Sequence, residues 1–152
     1  MASGKGDDVV LIASDHAGVA LKQAIQTALK DVSWRDLGPV GNDRVDYPDF
    51  AKLLAEEIAD GQATRGVLIC GSGIGMSIAA NKIPGVRAAV VENPVAARLS
   101  REHNDANVLC LGSRFVAPEY GAEIVETWLH TDFSGDERHL KRIRKIAELE
   151  KA

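Results

Sequence analysis

Cysteine, aromatic residues, long apolar runs and surplus positive charge are all scarce in this chain. Two cysteines, Cys70 and Cys110, occur in 152 residues, and they form neither a C-x-x-C pair nor a metal-ligand spacing. A disulfide scaffold is thereby excluded. Aromatics make up 5% of the chain, which argues against a base-stacking platform for nucleic acid. No stretch approaches the roughly 20 apolar residues that span a bilayer. The run Val9–Ala13 is too short for the apolar core of a signal peptide. Basic residues number 18 against 22 acidic, a net charge of −4, so the chain as a whole is no polyanion binder. No repeat of fixed period occurs, which removes collagen and coiled coil. Together these absences predict a cytoplasmic protein with reduced thiols, without nucleic-acid or membrane partners.

What is present suits one globular domain. Hydrophobic residues contribute 45% and charged residues 26%, and a chain of this length buries roughly 70% of the surface its unfolded form exposes. The expectation is a disordered extension over residues 1–8 and a single domain over 9–152. Short apolar runs recur at Val9–Ser14, Val32–Leu37, Gly66–Cys70, Val86–Val91 and Asn107–Gly112. They lack clean polar alternation, as parallel strands covered on both faces do. Helical patterns fill the gaps: Val19–Lys30, Pro48–Ala59, Ile74–Asn81, Pro94–His103, Pro118–His130 and Glu137–Lys151. Three of them open on proline, a residue suited to the first helical position. The alternation predicts an α/β three-layer sandwich around a parallel sheet. Ligands of such sheets bind beyond the carboxyl ends of the strands.

The first strand runs out into Asp15-His16-Ala17-Gly18. An Asp-His pair there can bind sugar hydroxyls or a phosphate, and Asp15 can equally cap the following helix. The third strand ends in Cys70-Gly71-Ser72-Gly73-Ile74-Gly75-Met76-Ser77. Glycines at alternate positions free the backbone to aim several N–H groups at one point, an anion nest at a helix start. The loop is not a dinucleotide fingerprint, whose third glycine would fall on Met76, nor a Walker A loop, which needs Gly-Lys-Ser/Thr. Cys70 adjoins the nest, where a thiol loses its proton more readily and can act as a base on carbon. Cys110 leads to no such loop and reads as packing. His103, at the end of the fourth helix, can trade protons near neutrality. His130 and His139 are expected to face solvent or to assist with charge. Arg138 to Lys145 holds five cations and no acid. Arg138 and Arg142 share a helix face, and cations in a first helical turn call for a compensating anion. Arginine forks match a phosphate.

Taken together, Asp15-His16-Ala17-Gly18, Val45-Asp46-Tyr47-Pro48, Ile69 to Ser77, Asn81-Lys82, Arg101 to Asp105 and Gly112-Ser113-Arg114 resemble the type B ribose-5-phosphate isomerases. That family also holds allose- and galactose-6-phosphate isomerases, and the resemblance runs from about Val9 to Ala147. It implies a flavodoxin-like, Rossmann-like sheet of five parallel strands. It also implies a homodimer with active sites between subunits, open to pairing into a tetramer, and no metal or organic cofactor. The implied reaction interconverts ribose 5-phosphate and ribulose 5-phosphate in the non-oxidative pentose phosphate pathway. Cys70 would shuttle the proton between C1 and C2, and His103 would open the furanose ring. Asp15, Tyr47, Ser72 and Asn104 would contact sugar hydroxyls, with Arg114, Arg138 and Arg142 on the phosphate and His16 close by. The amides of Gly71, Ser72, Gly73, Ile74 and Gly75 would hold the enediolate oxygen. Some members carry Glu at or near the position of Gly75 in place of the cysteine; this chain looks like the cysteine subtype. The rival readings are a six-carbon sugar phosphate, a nucleotide-binding module using Glu92, and an inactive interaction protein on the same fold.

Overall fold

A computed structural model describes residues 8–151. The extension expected over residues 1–8 therefore lies, except for Asp8, outside the described residues. Five strands and six helices alternate: β1 Val10–Ser14, α1 Val19–Ala28, β2 Trp34–Asp36, α2 Tyr47–Ala59, β3 Arg65–Cys70, α3 Ile74–Ala80, β4 Ala88–Val90, α4 Pro94–Asn104, β5 Val108–Gly112, α5 Pro118–Leu129 and α6 Glu137–Leu149. A 3-10 turn over His16–Gly18 joins β1 to α1.

All pairings are parallel, in the order β2-β1-β3-β5-β4. This exchanges the last two strands of the flavodoxin order 2-1-3-4-5. Composition explains the exchange. β5 reads Val-Leu-Cys-Leu-Gly and is buried throughout, whereas β4 has three partly exposed residues. The wholly apolar strand takes the interior and the weaker one the edge. β2, equally short, takes the other edge. Both edges are shorter than the apolar runs from which they were expected, and beside β4 side chains take the place of part of the ladder. Asn81 donates to the Ala88 carbonyl at 2.9 Å and accepts from the Ala88 N–H at 2.8 Å, and the Asn107 amide does the same for Gly85 and Arg87.

Strict alternation divides the core into two layers. Val10, Ile12, Val67, Ile69, Leu109 and Leu111 face α1, α4 and α5 through Leu21, Ile25, Ala97, Ile124 and Trp128. Leu11, Ala13, Leu68, Cys70, Val108 and Cys110 face α2 and α3 through Leu54, Ala55, Ile58, Met76 and Ala80. Each fully buried Leu or Ile stabilises the fold by about 1.5–3 kcal/mol. Because α2 runs antiparallel to the strands, its first residue, Tyr47, arrives at their carboxyl ends beside α3. By the same geometry α4 carries its last residues, His103 and Asn104, to the amino ends of the strands.

Candidate active site

At the carboxyl end of β3 the Cys70 side chain is 4% exposed and lies on the α2 and α3 face. The Gly73 N–H donates to Cys70 Sγ at 3.1 Å, a contact that strengthens when the sulfur carries charge. Gly73 makes this possible by adopting φ +77 with Leu111 backbone close behind it. The Ile74 N–H donates to Ser72 Oγ at 3.2 Å. Two of the five amides assigned to an enediolate are thus occupied inside the loop, which narrows that role to Gly71, Ser72 and Gly75.

The neighbouring strand ends close around this loop. The Asp15 N–H donates to the Ile69 carbonyl at 3.0 Å, while Asp15 Oδ1 accepts from the Gly18 N–H at 3.1 Å. The capping role of Asp15 is therefore real, and Oδ2 stays available to another donor. His16 Nδ1 accepts from the Val45 N–H at 3.2 Å, fixing the segment that delivers Tyr47. A Cβ added at Gly75 would lie 2.6 Å from Tyr47 Cε2 and 2.7 Å from its Oη. Glycine at that position is what lets the phenol ring lie over α3. The Arg114 side chain packs against Gly71, and its own N–H donates to the Gly71 carbonyl at 3.0 Å. Asp15, His16, Tyr47, Arg114 and the loop from Cys70 to Gly75 form one cluster.

The remaining expected residues form a second cluster elsewhere. His103 and Asn104 end α4 near the amino ends of β4 and β5. There Arg87 Nε donates to the Asn104 carbonyl at 3.1 Å, and Arg101 Nη1 bonds Asp105 at 2.8 Å. Five residues of β5 span roughly 13 Å from end to end, so this group stands well away from Cys70. His139 belongs here too. Expected to face solvent or to assist with charge, it is instead buried, 6% exposed, with its ring stacked on His103 at a centroid distance of 4.3 Å and an interplanar angle of 19°. Burial holds the His139 pKa below its ordinary 6.5, assisted by His103 and Arg138 beside it. In α6 it is His139 that is buried, whereas Leu140 and Ile143 are half-buried and Ala147 is exposed, so the helix packs through its first turn and not along an apolar stripe. His130 does face solvent, as expected. The cations opening α6 are partly compensated within the chain, because Asp136 caps Arg138 N at 2.8 Å and Glu137 stands in the first turn. Cys110 is fully buried, and burial pushes its thiol pKa up, with Cys70 adding to the shift. It packs the core, as its sequence context indicated.

A family model described as Ribose/Galactose Isomerase matches residues 10–146. The chain belongs to the ribose/galactose isomerase family. Within this family, ribose-5-phosphate isomerase B of Escherichia coli is 44% identical over 138 residues, covering 90% of this chain and 92% of that protein. The structure of ribose-5-phosphate isomerase B from Clostridium thermocellum superposes with a TM-score of 0.91 at 50% identity, covering 94% of this chain and 97% of the other. That of the Mycoplasma genitalium enzyme with bound ribulose-5-phosphate gives 0.88 at 46% identity, over 94% and 96% of the two chains. Among the described residues no group of His, Cys, Asp or Glu is arranged to hold a metal ion, and no helix is long and apolar enough to cross a membrane.

Proposed function

We propose that this family member is a ribose-5-phosphate isomerase of type B and that it works as a homodimer. The observation that carries the reading is the likeness, over 94% of the chain at 46% identity, to a structure holding ribulose-5-phosphate. The Cys70 loop supplies residues suited to the reaction. His103 opens the furanose by proton transfer. Cys70 then removes the C2 proton, the amides of Gly71, Ser72 and Gly75 steady the enediolate, and the same sulfur returns the proton to C1. One base serving both carbons and donors aimed at developing charge are what aldose–ketose isomerisation needs. Asp15, Tyr47, Ser72 and Asn104 orient the hydroxyls, and Arg114, Arg138 and Arg142 hold the phosphate near His16.

The separation of the two clusters supports the homodimer. One chain does not bring His103, Asn104, Arg138 and Arg142 to its own Cys70, so the site is completed by a second copy. Exposed apolar side chains on α3, β4, α4 and after β5 suit such an interface: Ile74, Ile78, Val90, Val95 and Phe115 are 39–58% exposed.

The test is a coupled assay comparing kcat/KM for ribose 5-phosphate and allose 6-phosphate. Preference for the pentose phosphate, abolished in Cys70→Ser, supports the reading. Preference for the hexose phosphate moves the enzyme to the six-carbon branch of the family, and turnover of neither overturns the isomerase.

A further inference from the structure

Resting on the isomerase reading above, we propose that His139 is a positioning residue for ring opening, its buried imidazole acting as the flat platform that fixes the plane of the His103 ring. His103 occupies an exposed position in the last turn of α4, and His139 a buried one in the first turn of α6. An exposed imidazole left alone samples several rotamers. Here its face is covered by a second ring at a centroid distance of 4.3 Å and 19° between planes. Holding a reacting group in one orientation is a large part of what an enzyme contributes to rate.

The platform is the neutral form of the ring. His139 Nε2 lies 3.4 Å from Arg138 Nη2. Arginine has only donors, so Nε2 is the accepting nitrogen and the His139 proton sits on Nδ1. The groups facing His139 are His103 from α4, and Arg138, Arg142 and Asp136 from α6 and its cap. Cations outnumber the single acid, and burial works in the same direction. A neutral aromatic ring stacks on a neutral imidazole and offers its face to a protonated one, so both states of His103 keep the same seat.

Ring opening breaks the C1–O4 bond, converts the C1 hydroxyl to the aldehyde, and moves one proton from O1 to O4 with no net gain or loss. His103 takes and returns that proton. The stack also sets where this happens. Arg138 and Arg142 ride on the same helix as His139, so the phosphate contacts and the ring-opening group are held in fixed register. In the dimer the pair stays within one chain.

The measurement uses Cys70→Ser, which keeps ring opening but lacks the base, and reads anomer exchange of ribose 5-phosphate by exchange NMR. His139→Phe retains a flat ring without nitrogens. His139→Leu fills similar space with no ring face, so it folds while removing the platform. In the Cys70→Ser background, Phe should keep the exchange rate within about 3-fold, while Leu should lose roughly 10- to 100-fold with ribose 5-phosphate affinity nearly unchanged. Equal rates for Phe and Leu, whether both retained or both lost, overturn the proposal. Loss in both would mean that a His139 nitrogen acts directly. Wild-type turnover in the coupled assay reports separately on the isomerase reading, so intact turnover without a Phe–Leu difference sinks only the role of His139.

Discussion

At the scale of single residues, the side chains that read ambiguously in the sequence are held by local bonds that leave part of their capacity open. Asp15 caps a turn through Oδ1 and leaves Oδ2 open, and Ser72 accepts from Ile74 while its hydroxyl proton is free to be donated. Such local hydrogen bonds restrict each polar group to few rotamers, which would suit the proposed contacts to sugar hydroxyls. Cys70 and Cys110 separate cleanly. Both are buried and both lie on the same sheet face, yet only Cys70 receives an N–H from a glycine loop. Cys70→Ser should lower kcat for ribose 5-phosphate by about 10²–10⁴ with little change in melting temperature, as expected for loss of a general base. Cys110→Ser should retain most of the activity but melt earlier, since a hydroxyl in an apolar layer costs about 1–3 kcal/mol. Steady-state kinetics and thermal melts on the two variants decide this. Equal activity losses would remove Cys70 as the base.

Elements obey the same logic on a longer length. α6 is strongly amphipathic, and its buried contact is made at its start, through His139 against α4. Leu149, near its end, is 74% exposed. Arg138 and Arg142 project from the half of the helix that carries the His139 contact, while a Gly85 N–H to Glu150 bond at 2.9 Å ties down its far end. Hydrogen bonds to charged groups contribute about 1.5–3 kcal/mol each, so Arg142→Ala should cost roughly 10- to 150-fold in kcat/KM. Arg142→Lys should recover only part, since it keeps the charge but not the planar fork. Arg144, two positions on, points to another side of the helix and should tolerate Ala. Matching losses for Arg142→Ala and Arg144→Ala would reduce the basic run to a solvated face.

Whole-molecule behaviour follows from the gap between the two clusters. For the proposed homodimer, mixing the inactive variants Cys70→Ser and His103→Ala and allowing subunits to exchange should restore about a quarter of wild-type activity. Half of the dimers then pair unlike chains, and each such dimer holds one intact site of its two. A site built within one chain would give no recovery at all. Acid stability is a second global property. His139 has a lowered native pKa, so below about pH 6.5 the unfolded chain binds a proton that the native one refuses, and stability falls as pH drops through that window. Asp36 acts further down. Burial alone would raise its pKa, but hydrogen bonds from Lys22, Gly38 and Gln26 and the Lys22 charge outweigh that and hold it below 3.8. Its stabilising share is present above pH 3.8 and is lost as pH falls through the native value. Denaturant midpoints should decline first below about pH 6.5 and again below pH 3.8. The first decline should disappear in His139→Phe.

Local pattern determined much of this protein. Strand and helix placement follows from apolar runs, prolines at helix starts and the glycine loop, each a short-range signal that needs no distant partner. The Cys70 loop, Asp15 and His16 were legible as candidates for the same reason: each directly follows a strand, and parallel strands gather their carboxyl ends. Arg114 and Tyr47 came only with the family resemblance, and the seat of Tyr47 over Gly75 is a contact between α2 and α3 that neither segment announces alone. The order of β4 and β5, the burial of His139 and the removal of His103, Asn104, Arg138 and Arg142 from the cysteine were decided by tertiary structure. A helix returning antiparallel to its strand sends its last residues to the amino ends of the sheet, and spacing along a chain carries no record of how α6 packs against α4 there. The stack of His103 on His139 joins residues 36 positions apart, on helices whose mutual packing is set by the whole core and not by either sequence.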